Sequence, residues 1–313
     1  MTPVRSRLAA VVLVVGVLAG QAASPGYASA DSDPPAGPPQ SDIRIAQFYS
    51  WWHPTASPAG ANDWACRTTP RHPRPVVLVL GTGSNAYYEW ARMAPVLRGE
   101  GYCVFAPNVG GRPGSPVQAV GPIAETARQF AVFVDRVLAA TGASKVDVVG
   151  HSQGGVVARY HLKYLGGREK VDALIGLAPA NRGTTVHGLL TLITAIPLTS
   201  WALGVGCPAC VELERGSRFM AELNSGGMTY PEIDYTVIIT NRDIVVSPYR
   251  SSFLPAGPNV RNTLLQDVCP HERADHVDIT YSAVATRLVL NALDPGSAVP
   301  PDCGRRDANA GTP

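Results

Sequence analysis

From about residue 42 onward, short apolar runs alternate with stretches whose apolar residues recur every three or four positions. Runs of four to six residues rich in Val and Ile fit strands buried on both faces, and the longer periodic stretches fit amphipathic helices. The runs predict strands at 76–80, 103–106, 146–149, 173–177, 235–240 and 263–267. Helices are predicted between and after them at 87–97, 123–141, 154–165 and 277–293. In the second helix Phe130, Val134, Val137 and Leu138 share one face. Strands separated by helical patterns imply an α/β fold, a mostly parallel central sheet with helices on both sides. No internal repeat interrupts this alternation.

Two segments depart from it. Residues 4–20 carry Arg5 and Arg7, then an apolar run over 8–19, and the small-residue triplet Ala28-Ser29-Ala30 follows. This is the layout of a signal peptide, 1–30, and its run is shorter than the ~20 apolar residues that a bilayer span needs. Residues 31–41, dense in Pro and Gly, read as an unpacked linker, which leaves 42–313 as the folded domain. The second departure is 186–211, which holds no Lys, Arg, Asp or Glu but several leucines and Trp201. Pro197 in its middle, the scattered threonines and the closing Gly204, Gly206 and Pro208 argue against a membrane span. The segment is expected to be a buried helix pair or an apolar cap over a site.

Removing the leader also changes the charge. The whole chain has 26 basic and 24 acidic side chains; without Arg5 and Arg7 the balance is 24 (26 − 2) to 24. A neutral chain with three lysines lacks the basic surface that displaces counterions from nucleic acid, so that partner is excluded. At 45% hydrophobic content the chain can bury a full core, and disorder is excluded for most of it. All six cysteines follow residue 30, and an even count in an exported protein favours three disulfides, for which 15 pairings are open.

Candidate chemistry centres on Gly150-His151-Ser152-Gln153-Gly154, which directly follows a predicted strand and precedes a predicted helix. A strand turning sharply into a helix lifts Ser152 above the carboxyl edge of the sheet, and its neighbours must be glycine because the turn is crowded. The helix start beneath it offers free N–H groups to a developing oxyanion. A serine so placed needs a base and an acid, in the chain order Ser, Asp or Glu, His. Of seven histidines, His53, His72 and His151 precede the serine, His161 lies on its own helix, and His187 opens the uncharged segment. His271 and His276 remain, and His276, in the loop before the last helix, is favoured. Asp243 leaves the carboxyl end of the strand at 235–240 and is the best acid. Asp172 and Asp234 sit at strand starts, and Asp267 and Asp278 remain as outsiders. The turn Gly81-Thr82-Gly83-Ser84 after the first strand can supply a second oxyanion donor through the Thr82 N–H and hydroxyl, beside the N–H of Gln153.

The segments LVLGTGSNA, VVGHSQGG, ALIGLAPANRGT, ITNRDIVV and ADHVDI, in this order, resemble secreted α/β-hydrolase lipases of the actinobacterial class 2 type, and are similar to yeast lipase B as well. The likeness extends over roughly 64–303. It implies Ser152 as nucleophile, Asp243 and His276 as its partners, and Thr82 with Gln153 as the oxyanion hole. Cys66 and Cys103 fall where the yeast enzyme has a bridge, while Cys207 and Cys210 are additional. Sequence position then gives Cys66–Cys103, Cys207–Cys210 and Cys269–Cys303. His151 before the serine, and an oxyanion turn without the His-Gly start of many bacterial lipases, are departures.

The expectation is a secreted, extracellular serine ester hydrolase acting on lipid or other apolar esters, with triacylglycerol lipase as the leading activity and no cofactor. A polyester hydrolase of the cutinase or suberinase kind, acyl transfer to an alcohol, and a non-catalytic lipid-binding protein on the same fold are the competing readings. No His/Cys ligand cluster or HExxH is present, so no catalytic metal is expected; calcium held by backbone and scattered Asp oxygens is left open. There is no Asn-x-Ser/Thr acceptor. Oligomeric state has no signature here.

Overall fold

The computed structural model describes residues 34–187 and 203–304. The expected leader, and the 188–202 part of the uncharged segment, lie outside the described residues. Six strands form one sheet: β1 Val76–Val79, β2 Val104–Phe105, β3 Val146–His151, β4 Val171–Leu177, β5 Asp234–Ile239 and β6 Val260–Leu264. Their order is β2-β1-β3-β4-β5-β6 and every pairing is parallel. The described helices are α1 Ile43–Trp52, α2 Ala86–Trp90, α3 Met93–Gly99, α4 Ile123–Thr141, α5 Gln153–Tyr164, α6 Pro208–Glu212, α7 Arg218–Asn224, α8 Leu265–Val268 and α9 Ala283–Leu293.

The alternation of side chains along each strand divides the core in two. Val77, Val79, Val148, Leu174 and Val237 face α4 and α5, where they meet Phe130, Val134, Val156 and Leu162. Val76, Leu78, Val149, Ile175 and Ile238 face the other way, onto Trp90, Met93, Leu97, Val284 and Val289. Both faces are therefore covered, which is why the strands read as unbroken apolar runs. On α4, Ile123, Ala127, Phe130, Val134 and Val137 are fully buried at spacings of three and four, and Gly142 ends the helix in the left-handed conformation. Leu138, expected on the same face, is only half-buried.

Three elements differ from the sequence expectation. The last strand is Val260–Leu264 rather than 263–267, because the chain turns into α8 at Leu265. That turn buries Leu265 and Cys269 and brings Cys269 to Cys303. The expected helix 277–293 is a 3-10 turn, Asp278–Tyr281, followed by α9, whose start is capped by the Ser282 hydroxyl accepting from the Ala285 N–H. The expected helix 87–97 divides into α2 and α3. Packing also begins before residue 42, since the Gly37 N–H donates to the Ser57 carbonyl and the Gln40 N–H to that of Ala91. The helix α1 has no counterpart in the expectation. Three disulfides join Cys66–Cys103, Cys207–Cys210 and Cys269–Cys303, with Cα–Cα distances of 5.8, 5.3 and 5.3 Å, all within the ordinary range.

Candidate active site

A parallel sheet collects the carboxyl ends of its strands on one edge, and the candidate residues enter from there. Ser152 stands between β3 and α5 at φ 52°, ψ −119°, a left-handed backbone that non-glycine residues rarely adopt. The crossing of strand and helix imposes it. A Cβ on Gly150 would lie 2.7 Å from the Gly155 nitrogen, and one on Gly154 would run into the Val79 carbonyl of β1. The two glycines thus let α5 start directly over the sheet edge. The Ser152 N–H donates to the Leu177 carbonyl at the end of β4, which fixes the turn to the neighbouring strand.

His276 arrives by a loop after α8, and this loop is fastened to the end of β5. The Thr240 hydroxyl donates to the Ala274 carbonyl at 2.7 Å, while Gln266 Nε2 donates to both the Thr240 hydroxyl oxygen and the Glu272 carbonyl. Asp243 follows β5, where its Oδ1 accepts the N–H groups of Val245 (2.9 Å) and Val246 (2.7 Å). Its Oδ2 is left to receive His276 Nδ1–H at 2.8 Å. With Nδ1 carrying the proton, His276 Nε2 is the acceptor, and it lies 3.0 Å from Ser152 Oγ. All three residues are buried. Burial lowers the His276 pKa from its usual value; the bond to Asp243 opposes this, and the neighbouring His151 adds to the lowering.

The remaining candidates separate cleanly. His271 is exposed, as are Asp267 and Asp278, and Asp275 turns its Oδ1 to the N–H groups of Val277 and Asp278. Thr82 and Gln153 do meet: the Thr82 hydroxyl donates to Gln153 Oε1 at 2.5 Å. The hydroxyl expected to point at an oxyanion is therefore engaged with a side chain, which leaves the backbone N–H as the Thr82 donor. Gln153 is the first residue of α5, where helix N–H groups have no partner within the helix.

The structure adds a pair that the sequence reading left without a role. Glu89, on α2, is buried beneath the turn at 81–84, and its Oε1 accepts the Gly81 N–H at 3.1 Å. The same oxygen bonds His151 Nδ1, and His151 Nε2 donates to the His276 backbone carbonyl at 2.8 Å. Burial alone would lower the His151 pKa, but the Glu89 carboxylate and the His276 carbonyl outweigh it and raise it. Glu89 and His151 thus tie together three segments, the turn after β1, the serine turn and the histidine loop. The available signal was a single acid in the apolar helix AYYEW together with a histidine beside the serine.

A cleft of about 410 Å³ opens over these groups, lined by Thr82, Ser152 and His276 and by the apolar side chains of Val186, Leu203, Leu213 and Val246. Ile43 and Gln47 of α1 complete its rim. A roomier polar hollow of about 750 Å³ beside Cys269–Cys303 contains none of Ser152, Asp243 and His276.

Comparison with known proteins decides the family. A model of the lipase (class 2) family matches residues 73–288. The chain belongs to the class 2 lipases. This family is one of carboxylic ester hydrolases. Among proteins similar to this chain, lipase B of Pseudozyma antarctica is 29% identical over 251 residues, 75% of this chain and 67% of its own length. A triacylglycerol lipase of Pseudarthrobacter phenanthrenivorans is 36% identical over 91 residues, 28% of this chain and 27% of its own. Among solved structures, Aspergillus fumigatus lipase B superposes with a TM-score of 0.60 at 23% identity, over 80% of this chain and 57% of that one. Bacillus licheniformis lipase BlEst2 in its mature form gives 0.55 at 17% identity, over 72% and 94%. The chain therefore shares the α/β-hydrolase fold of these two solved lipases, and it spans little more than half of the Aspergillus protein.

Proposed function

We propose that the protein is a secreted lipase in which Ser152 is the nucleophile, His276 the general base and acid, and Asp243 the group that fixes the imidazole tautomer. The observation that carries this reading is the unbroken line Asp243 Oδ2, His276 Nδ1, His276 Nε2, Ser152 Oγ at 2.8 and 3.0 Å, at the floor of an apolar cleft. Ser152 Oγ attacks the ester carbonyl carbon as His276 Nε2 takes its proton, and the carbonyl electrons move onto oxygen. The N–H groups of Gln153 and Thr82 receive that oxyanion, each such donor being worth about 3–4 kcal/mol of barrier. Collapse expels the alcohol, which takes the proton from His276. Water, deprotonated by the same nitrogen, then releases the acid and restores Ser152.

The apolar lining favours esters with apolar acyl groups, and the family favours triacylglycerol. Three disulfides and the leader-like residues 1–30 support export to an oxidising compartment. Ser152→Ala tests the reading: it should abolish p-nitrophenyl butyrate turnover and phosphonate labelling with the fold unchanged, whereas retained turnover removes Ser152 from this role. Emulsified triacylglycerol against polyester film separates the lipase from the polyester hydrolase, and activity on the film alone would overturn the former.

A further inference from the structure

The helix α1 is built the wrong way round for a globular surface. Its small residues Ala46 and Ser50 are buried, with Ala46 packed in the cluster of Ala56, Tyr87, Ala91 and Tyr281. Its large apolar residues point out: Ile45 is 56% exposed, Phe48 62%, Trp51 58% and Trp52 72%. Ile45, Phe48 and Trp52 recur at three and four residues and form one stripe, with Phe48 and Trp52 in edge contact at 6.5 Å between ring centroids. Isolated exposed apolar residues need no explanation, but four large ones on ten residues of helix form a patch of the kind that marks an interaction site.

The neighbourhood says what such a patch faces. Ile43 and Gln47, on the flank of the same helix, line the cleft over Ser152, and Trp51 stands one turn beyond Gln47 on that side. Val277 also belongs to the lining, and the exposed Ile244 adjoins the lining residues Val245 and Val246. The apolar surface thus continues from the cleft onto α1. On α1 itself the charges balance, since Arg44, its one charged side chain, is paired with Asp42 at 2.6 Å; Asp278, exposed beside Val277, adds one carboxylate near the start of the helix. The helix is also held firmly: Asp42 caps its first turn by accepting the Arg44 N–H, and Tyr49 packs on Tyr87 at 4.7 Å.

We propose that the outer face of α1, with Phe48, Trp51 and Trp52 at its centre, is a docking surface for the uncharged surface of an ester aggregate and sets the cleft against it. Tryptophan suits this place because its ring is large and apolar while its N–H tolerates the wet boundary. The inference rests on the reading of the cleft as an ester site, and the experiment keeps the two apart.

In a Ser152→Ala background, which leaves the aggregate intact, adsorption to triolein droplets is measured by flotation with and without the triple change Phe48→Gln, Trp51→Gln and Trp52→Gln. Glutamine preserves helix propensity, and circular dichroism and thermal melting verify the fold. The expected result is a fall in adsorption of roughly ten- to a hundred-fold, from losing the apolar area that three exposed aromatic side chains would bury against the droplet, and little sensitivity to salt. With Ser152 restored, the triple variant should lose emulsion activity by a similar factor while kcat and KM on soluble p-nitrophenyl butyrate stay as in the parent. Unchanged adsorption overturns the proposal. So does a concentration-dependent dimer, seen by sedimentation, that the triple variant abolishes while adsorption persists, which would assign the face to a second copy of the chain. Absence of soluble ester turnover in the parent would instead refute the ester-hydrolase reading.

Discussion

Replacing Glu89 by Gln tests whether the buried pair behind the site positions its parts. In the parent, one oxygen of Glu89 accepts two hydrogen bonds, from the Gly81 N–H and from His151 Nδ1, while His151 Nε2 donates to the His276 carbonyl. With the carboxylate gone, a buried imidazolium has no counter-charge and gives up a proton. A neutral ring that keeps its bond to the His276 carbonyl must present an Nδ1 lone pair. The amide can then turn its oxygen to Gly81 or its nitrogen to His151, but a single atom cannot serve both. One hydrogen bond is lost, and a buried charge-assisted bond is worth about 1.5–3 kcal/mol. If the loss displaces the turn holding Thr82 or the loop holding His276, it falls on transition-state contacts, and kcat should drop by about 10- to 100-fold with KM within about two-fold. The assay is p-nitrophenyl butyrate kinetics, normalised to active sites titrated with a phosphonate, beside urea denaturation. Loss of stability with an unchanged kcat per titrated site would refute the reasoning and reduce the pair to packing.

Asp243→Asn leaves the Val245 and Val246 N–H acceptor in place but removes the acceptor for His276 Nδ1–H, so kcat should fall by about 10⁴-fold with the fold retained; a change below about ten-fold would point to another acid. The general base must be neutral to act, and burial lowers the His276 pKa, so kcat/KM should rise with pH through a midpoint below 6.5. A midpoint above that value in the free-enzyme profile contradicts the assignment. Removing the Cys66–Cys103 bridge with paired alanines frees a loop of 37 residues, which the chain-entropy model puts at about 4 kcal/mol of stability; guanidinium denaturation reads it, and an unchanged midpoint would show that the loop is ordered without the bond.

The serine turn was legible because its signal is doubled: glycines at 150 and 154, and a strand before with a helix after. Asp243 and His276 could be proposed as acid and base because a parallel sheet admits candidates only at one edge, which eliminated Asp172 and Asp234 by position alone. What escaped had physical reasons. The helix α1 hides from a periodicity search that assumes large residues face inward, because Ala46 and Ser50 do the packing. Glu89 is one acid in an apolar stretch expected as the helix 87–97, and only the fold reveals that it lies under Gly81. The strand at 260–264 was placed three residues late because Leu265 continues the apolar run of Leu264 past the point where hydrogen bonding to β5 ends. The Thr82 hydroxyl was expected at the oxyanion because the sequence placed Gln153 beside it but gave no direction for the Gln153 side chain, whose Oε1 takes the hydroxyl instead.

The separation of Ser152 and His276 along the chain has a kinetic meaning of its own if they are the reacting groups proposed above. His276 and Ser152 are 124 residues apart and meet only through strands that pair in parallel, each pairing closing a long loop. No local segment of the chain carries a working fragment of the site. During refolding, α4 and α5 can form early, yet turnover must await the docking of β5, β6 and the loop behind them. Enzyme activity should therefore report the pairing of the whole sheet edge, and its recovery should not precede the return of helical signal.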